Sequence, residues 1–366
     1  MGRTVLESLE LPIVGAPMAG GPTTPALAAA VSAAGGLGFL GAGYRTADAM
    51  REDVAATRAL TGAPFGVNLF APGGAVAGDA EAIAAYAARL EPEARRAGVT
   101  LGAQRVDDDH FESKMEALIA DPVAVVSFTF GLPPRAAAER LRAAGSEVWI
   151  TVTSPAEARA AVAGGADALI VQGVEAGGHR GVFADDETAS DLTLLAALQL
   201  IRADVDLPLV ATGALTTGPA VAAALALGAA AAQVGTAYLR CPEAGTSAAQ
   251  RAATATDAPT ALTRAFSGRT ARGIVNRLLR ENGDAPRGYP EVHHLTTPLR
   301  AHGRATGDAD LINLWAGQAH ALAPALPAAE ITRALAADAR TALSAAARRA
   351  APADRRPPPA RSRHDG

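Results

Sequence analysis

Residues 166–181 read ADALIVQGVEAGGHRG. The first six form an apolar run that does not alternate with polar residues, the pattern of a strand buried on both faces. The next ten, 172–181, concentrate glycines, a carboxylate and a single imidazole, which reads as a loop. His179 is therefore expected at the C-terminal end of a buried parallel strand. In a (β/α)8 barrel that end carries the chemistry.

The same unit repeats on both sides of this stretch. Upstream, the apolar runs 12–17, 37–40, 64–70, 123–128 and 147–152 each precede a helical pattern. Thr24 with Pro25, and later Thr46, supply helix starts, while Gly35, Gly36 and Gly62 supply stops. Downstream, helix DLTLLAALQLIRAD leads to strand 207–212, then helix TTGPAVAAALALG to strand 230–235. Eight non-alternating strands separated by helices over roughly 240 residues predict a TIM barrel, with a doubly wound sheet as the structural alternative.

Two regions lie outside the repeat. Residues 71–121 exceed what one crossover needs and predict a helical excursion, a candidate lid. It would hold EAIAAYAARLEPEARRAG, broken near Pro92, and a second helix around HFESKMEALIA. The barrel would thus span 1–245, followed by a helical or irregular extension over 246–350. The Pro/Arg-rich end, 351–366, predicts a disordered tail.

Composition narrows the function classes. The 366 residues are 49% hydrophobic and 19% charged, and the net charge of −4 gives no footprint for nucleic acid. Cys241 is the only cysteine, so no internal disulfide can form, in keeping with a reducing compartment. No basic segment followed by an apolar run opens the chain, and the Ala-rich apolar stretches are broken by glycine. The expectation is a cytoplasmic protein, monomer or homodimer, that acts on small molecules.

GLGFLG, 36–41, matches the dinucleotide fingerprint by its letters. That fingerprint requires glycines that follow a strand and open a helix, whereas here the residues between the glycines are the strand. Tight strand-helix packing is the better reading. A phosphate site is better placed after the last two strands, where ATGALTTG and VGTAYLR each put a glycine and a hydroxyl residue. Glycine lets backbone N–H groups approach a phosphate closely, so Gly213, Ala214, Gly235 and Thr236 are its candidate ligands. Near the first strand, APMAGG (Ala16, Pro17, Met18) can lie flat against a planar ring, and Asn68 can hydrogen-bond its heteroatoms.

APMAGG, AGGLGFLGAGY, PFGVNLF, VVSFTFG, QGVEAGGHRG, ATGAL and VGTAYL, in that order, resemble the nitronate monooxygenase family, formerly 2-nitropropane dioxygenases. SGRTARGIVN, 267–276, and LWAGQA, 314–319, are also similar to family segments. The resemblance implies a TIM barrel with non-covalent FMN that oxidises alkyl nitronates, propionate 3-nitronate being one candidate, with O2 to a carbonyl compound and nitrite. Carried over by motif, Pro17, Met18 and Asn68 would approach the flavin ring. Gln172, Gly177 and Gly178 would line its ribityl and phosphate side, Gly213 and Gly235 with Thr236 would hold the phosphate, and His179 would face the substrate. The chain departs from the pattern at Thr129, where many relatives carry histidine, at Gly15 in place of glutamine, and at Ala214, where a second glycine is common.

An imidazole at a strand end can remove an acidic α-proton from a neutral nitroalkane, or orient an anionic nitronate that needs no base. Glu175 could tune that imidazole or pair with Arg180. His293, His294, His302 and His320 carry little signal, and no H-E-x-x-H or paired C-x-x-C pattern points to a metal. Two other functions share these features: the flavin-dependent enoyl-acyl carrier protein reductases, with the same barrel and an EAGGH loop, and a non-catalytic flavin-binding module.

Overall fold

The computed structural model describes residues 4–350. Eight of its strands are the eight apolar runs: β1 (Ile13–Gly15), β2 (Gly38–Gly41), β3 (Phe65–Phe70), β4 (Val125–Thr129), β5 (Glu147–Val152), β6 (Ala168–Gln172), β8 (Leu209–Thr212) and β9 (Ala231–Val234). They pair in parallel in the order β1-β9-β8-β6-β5-β4-β3-β2, and a parallel bridge between Val14 and Leu37 brings the two ends together. Trp149, Phe39, Val14, Ile170 and Val210 fill the interior, and the neighbouring residues Val126, Val148, Ile150, Leu169 and Val171 face the helices. Both faces of each strand are buried, which is why these runs show no alternation. The described chain is a (β/α)8 barrel with added elements.

Ordinary capping builds the helical ring. The helices up to the excursion are α1 (Val5–Ser8), α2 (Pro25–Ala33) and α3 (Ala47–Leu60). Thr24 caps α2 ahead of Pro25, and Thr46 caps α3, each accepting a backbone N–H three residues on. The GLGFLG glycines serve packing: a Cβ on Gly38 would lie 2.0 Å from the carbonyl oxygen of Ala28.

The excursion contains α4 (Ala80–Ala97) and α5 (Phe111–Ala120). The expected break at Pro92 does not occur, and α4 runs through it. Pro92 and Ala88 both lie on the exposed side, so the carbonyl that loses its partner faces water. The opposite face, Ile83, Tyr86, Leu90 and Ala94, is held by burial.

Helices α6 (Arg135–Ala143), α7 (Pro155–Ala163), α8 (Leu194–Asp204) and α9 (Gly218–Ala226) complete the regular crossovers. The extension adds α10 (Ala248–Thr254), α11 (Arg277–Glu281), α12 (Glu291–Thr306) and α13 (Ala328–Ala350). It also adds what the sequence reading missed, a sheet of β10 (Thr260–Thr263), β11 (Ala271–Ile274) and β7 (Gly178–His179). These strands are too short to show a period. His179 thus lies in a paired strand, opposite Ala271, and not in a free loop.

The face of α4 shares one apolar core with Phe266, Leu278, Val292, Leu295 and Leu299, so α4 and the extension pack as a single cap, whereas Phe111, Met115 and Leu118 of α5 join the barrel core as the crossover helix from β3 to β4. Helix α13 packs on α9 and α2, in the place of the helix that β9 lacks. Among the described residues no helix is long and apolar enough to cross a membrane. The tail expected over 351–366 lies outside the described residues.

Candidate active site

A cavity of about 380 Å³ opens at the C-terminal ends of the barrel strands, within the size range of small-molecule sites. Ala16, Pro17 and Met18 after β1, Asn68 in β3, Gln172 in β6, Gly177, Gly178 and His179, Gly213 and Ala214 after β8, and Gly235 and Thr236 after β9 all line it. All twelve residues expected at the site thus border one space.

Its far wall is a cradle of backbone donors. The N–H groups of Gly213, Ala214, Gly235 and Thr236 have no hydrogen-bond partner among the described residues. Gly213 (φ 138°) and Ala214 (φ 52°) both have positive φ, a turn that leaves their N–H groups outside the strand ladder. Thr236 Oγ1 accepts from Gly317 N at 3.0 Å, which leaves its own proton free to donate. Gln233 Nε2, on the same cavity, is buried without a partner. Unpaired buried donors of this kind are costly unless a ligand accepts from them.

On the floor, Ala16 N donates to Val234 O and Met18 N to Thr23 Oγ1, which pins the APM segment. The amide nitrogen of Asn68 donates to Ser127 O, Ser127 Oγ and Thr129 Oγ1, so its oxygen is left free. Thr129, the departure from the family pattern, is therefore part of the network that sets the Asn68 amide. Gln172 is used differently: it donates to His179 O and accepts from Gly181 N and Arg180 Nη1, tying the 172–181 segment to itself.

His179 stands in an aromatic frame of Phe130, Tyr289 and Trp315, with ring centroids 5.6–5.9 Å away. Its Nε2 lies 2.8 Å from Ser267 Oγ, which also reaches the carbonyl oxygen of Arg269 at 3.1 Å. Nδ1 has no protein partner among the described residues. Two tautomers follow from one rotating hydroxyl. With the Ser267 proton on the Arg269 carbonyl, the ring proton is on Nε2 and Nδ1 is a bare acceptor. With the Ser267 proton given to Nε2, the ring proton moves to Nδ1 and can be donated to a ligand.

The ring is neutral at ordinary pH. Burial, then the guanidinium charges of Arg269 and Arg300, push its pKa from 6.5 down to about 3, against a smaller opposing pull from Asp185. Its partial exposure is toward the cavity that it lines, so bulk water does little to offset this.

Glu175 neither tunes this ring nor pairs with Arg180. Both of its carboxylate oxygens accept from Leu194 N at the start of α8, where Thr193 provides no side-chain cap. Arg180 instead donates to Gln172 Oε1, Gly173 O and Ser190 O.

Several lining residues escaped the sequence reading: Tyr44, Gln233, Ser267, His293, Thr297, Arg300, Arg304 and Trp315. His293 and His294 are adjacent in sequence, and the two side chains part as their spacing requires. His294 points to Asp107 of the excursion at 2.8 Å, while His293 stacks on Tyr44 with ring centroids 4.1 Å apart. The signal was present in the i, i+4, i+7, i+11 spacing of His293, Thr297, Arg300 and Arg304.

Fold and site together define a TIM-barrel enzyme with a cradle of backbone donors after the last two strands and a neutral imidazole on the same cavity. Comparison with known proteins resolves the class. The family model for nitronate monooxygenase matches residues 4–338. The chain is 41% identical to the nitronate monooxygenase of Pseudomonas aeruginosa, over 91% of this chain and 97% of that one. It is 40% identical to the nitronate monooxygenase of Paraburkholderia phytofirmans, over 89% and 91%. Among solved structures, nitroalkane oxidase from Streptomyces ansochromogenes superposes with a TM-score of 0.90 at 48% identity, covering 93% of this chain and 99% of that one. FabK from Thermotoga maritima superposes at 0.72 with 25% identity, covering 95% and 100%. The chain belongs to the nitronate monooxygenase family.

Proposed function

We propose that this chain binds FMN and uses O2 to oxidise alkyl nitronates to a carbonyl compound and nitrite. The cradle at 213–214 and 235–236 suits the phosphate, the pinned APM floor suits a planar ring, and Asn68 and the orphaned Gln233 amide suit its heteroatoms. When bound, FMN would supply the two-electron chemistry and the reaction with O2.

The observation that carries the choice of substrate is the neutrality of His179 in a cavity whose lining includes two arginines and no carboxylate. An imidazole whose conjugate acid has a pKa of about 3 is a poor base toward the carbon acid of a neutral nitroalkane. A nitronate has already lost that proton. His179 in its Nδ1–H form then donates to the anion, and Ser267 holds the ring by donating to Nε2. Phe130, Tyr289 and Trp315 keep water from that contact.

The test is an anaerobic titration of the yellow holoprotein. Ethylnitronate or propionate 3-nitronate should bleach the flavin band, and air should restore it with release of nitrite. Bleaching by NADPH, with enoyl thioester as the oxidant that restores colour, would replace this reading with an enoyl reductase.

A further inference from the structure

Helix α12 turns one stripe of its surface, His293, Thr297, Arg300 and Arg304, toward the cavity. Arg300 is deep in the wall, 6% exposed. Its Nε donates to Thr296 Oγ1 at 3.0 Å. Its Nη2 donates to His293 O at 2.7 Å and to Thr297 Oγ1 at 2.8 Å, and lies 3.3 Å from His293 Nδ1. All of these partners are neutral, and Nη1 has no partner among the described residues. Arg304, one turn further on, is exposed and donates to Asn313 Oδ1 at 3.3 Å.

No carboxylate pairs with either arginine among the described residues, whereas Arg264, Arg277 and Arg287 nearby each have one; Arg269 and Arg272 are also buried without an ion pair, but neither lines the cavity. The cavity lining likewise includes no Asp or Glu. Burial lowers the Arg300 pKa to about 10, which still leaves it charged at neutral pH. A buried cation without a counter-ion is tolerated where a ligand brings the charge. The backbone cradle follows β8 and β9, whereas Arg300 comes to the same cavity from α12, beside His293. His293 leads through Tyr289 to His179, with successive ring centroids 6.3 Å and 5.9 Å apart. The unpaired charge is thus on the side of the reacting imidazole.

Building on the nitronate reading above, we propose that Arg300 is a specificity-determining residue that holds the anionic oxygens of the substrate, with Arg304 drawing the anion in at the mouth. Arg300 makes the site selective for a nitronate over the neutral nitroalkane of the same carbon skeleton. It positions the anion where His179 can donate to it, and Thr297 and the His293 carbonyl fix the guanidinium plane.

Nitrate, a planar monoanion with no carbon to oxidise, tests this without turnover. It is titrated into the holoenzyme, and binding is followed by calorimetry and by perturbation of the flavin spectrum. Arg300→Gln should retain flavin and weaken nitrate about tenfold or more, the scale of one charge-assisted contact, and Arg300→Lys should recover part of the loss. The ratio of kcat/KM for ethylnitronate to that for nitroethane should fall by a similar factor in Arg300→Gln. Arg304→Gln should weaken nitrate about threefold at low ionic strength and not at high salt, since an exposed charge is screened. This exposed substitution decides the matter if Arg300→Gln does not fold: nitrate binding that ignores both Arg304 and ionic strength would refute the proposal. Unchanged nitrate affinity in Arg300→Gln would also refute it, as would loss of flavin from that variant, which would assign the arginine to the cofactor. If wild-type enzyme binds nitrate through Arg300 but no nitronate reduces it, the functional reading fails while the anion site stands.

Discussion

Ser267→Ala tests how His179 is held. Among the described residues the hydroxyl is the only side-chain hydrogen-bond partner of the ring, at 2.8 Å from Nε2, and it can serve either tautomer because it also reaches the Arg269 carbonyl. Removing it leaves Nε2 facing a dry wall. A neutral hydrogen bond contributes about 0.5–1.5 kcal/mol net, and stranding a buried polar atom adds a comparable penalty. A ring released by about 1–2 kcal/mol spends most of its time in orientations or tautomers that do not meet the substrate. The productive fraction then falls by about 5–30-fold, and kcat/KM falls with it. The aromatic frame of Phe130, Tyr289 and Trp315 limits how far the ring can turn, which argues for the lower part of that range. The assay is kcat/KM for ethylnitronate in wild type, Ser267→Ala, Ser267→Thr and His179→Ala, and in the Ser267→Ala, His179→Ala double variant, with flavin content measured for each. Threonine should restore much of the loss. In the double variant the serine change should cost almost nothing further, because there is no ring left to hold. If Ser267→Ala lowers kcat/KM by the same factor with and without His179, the hydroxyl does not act through the imidazole and the argument is wrong.

Acid stability should carry the mark of the same ring. His179 has an unfolded pKa of 6.5 and a folded one of about 3, so between these values the unfolded chain binds a proton that the folded chain does not. The ring costs no stability above pH 6.5, and a destabilisation then grows as pH falls toward 3, at up to about 1.4 kcal/mol per pH unit. Melting temperatures of the holoprotein measured across that window should fall less steeply for His179→Asn than for wild type, and equal slopes would contradict the depressed pKa. A separate prediction concerns the cradle. Ala214 is held at φ 52°, a conformation that costs an L-residue about 1–2 kcal/mol, while glycine costs about 0.5–1 kcal/mol in extra chain entropy. Ala214→Gly should therefore leave flavin bound and raise the melting temperature slightly. A clear drop would mean that the Ala214 methyl group is needed for packing.

Much of the barrel was legible because burial on two faces writes itself into composition. ADALIV, EVWITV and VAVVSF need no partner to be recognised, since only a parallel sheet under helices has a use for uninterrupted apolar runs. The cradle was legible for a similar reason: glycines straight after strands have few other purposes. What stayed hidden depends on contacts distant in sequence. Gly178 and His179 form a strand only because Ala271 and Arg272 lie beside them, some ninety residues on. Pro92 promised a break because local rules see the lost donor and not the buried face that holds the helix. Arg300 was passed over because a guanidinium in a polar helix normally faces water. Its burial becomes visible only once α4 and the extension close over the barrel.

The division of labour in the site follows from this geometry. Backbone groups at the barrel's strand ends form the cradle, and backbone donors change little when side chains are exchanged. The imidazole, its serine, the aromatic frame and the arginine stripe come from, or are held by, the cap: β7 pairs with β11, Ser267 precedes it, and α12 carries His293 and Arg300. A barrel of this kind can keep one cofactor while its cap is rewritten for another substrate. FabK superposes on the chain with a TM-score of 0.72 at only 25% identity, so the backbone scaffold tolerates wide exchange of side chains. Thr129 is an informative exception, a barrel residue that departs from the family pattern. Its hydroxyl accepts from the Asn68 amide and lies 3.4 Å from Thr151 Oγ1, so a ring at this position would have to displace that polar row or point into the cavity. With threonine there the barrel side of the cavity stays open, and the cap is left to define the shape and charge of what enters.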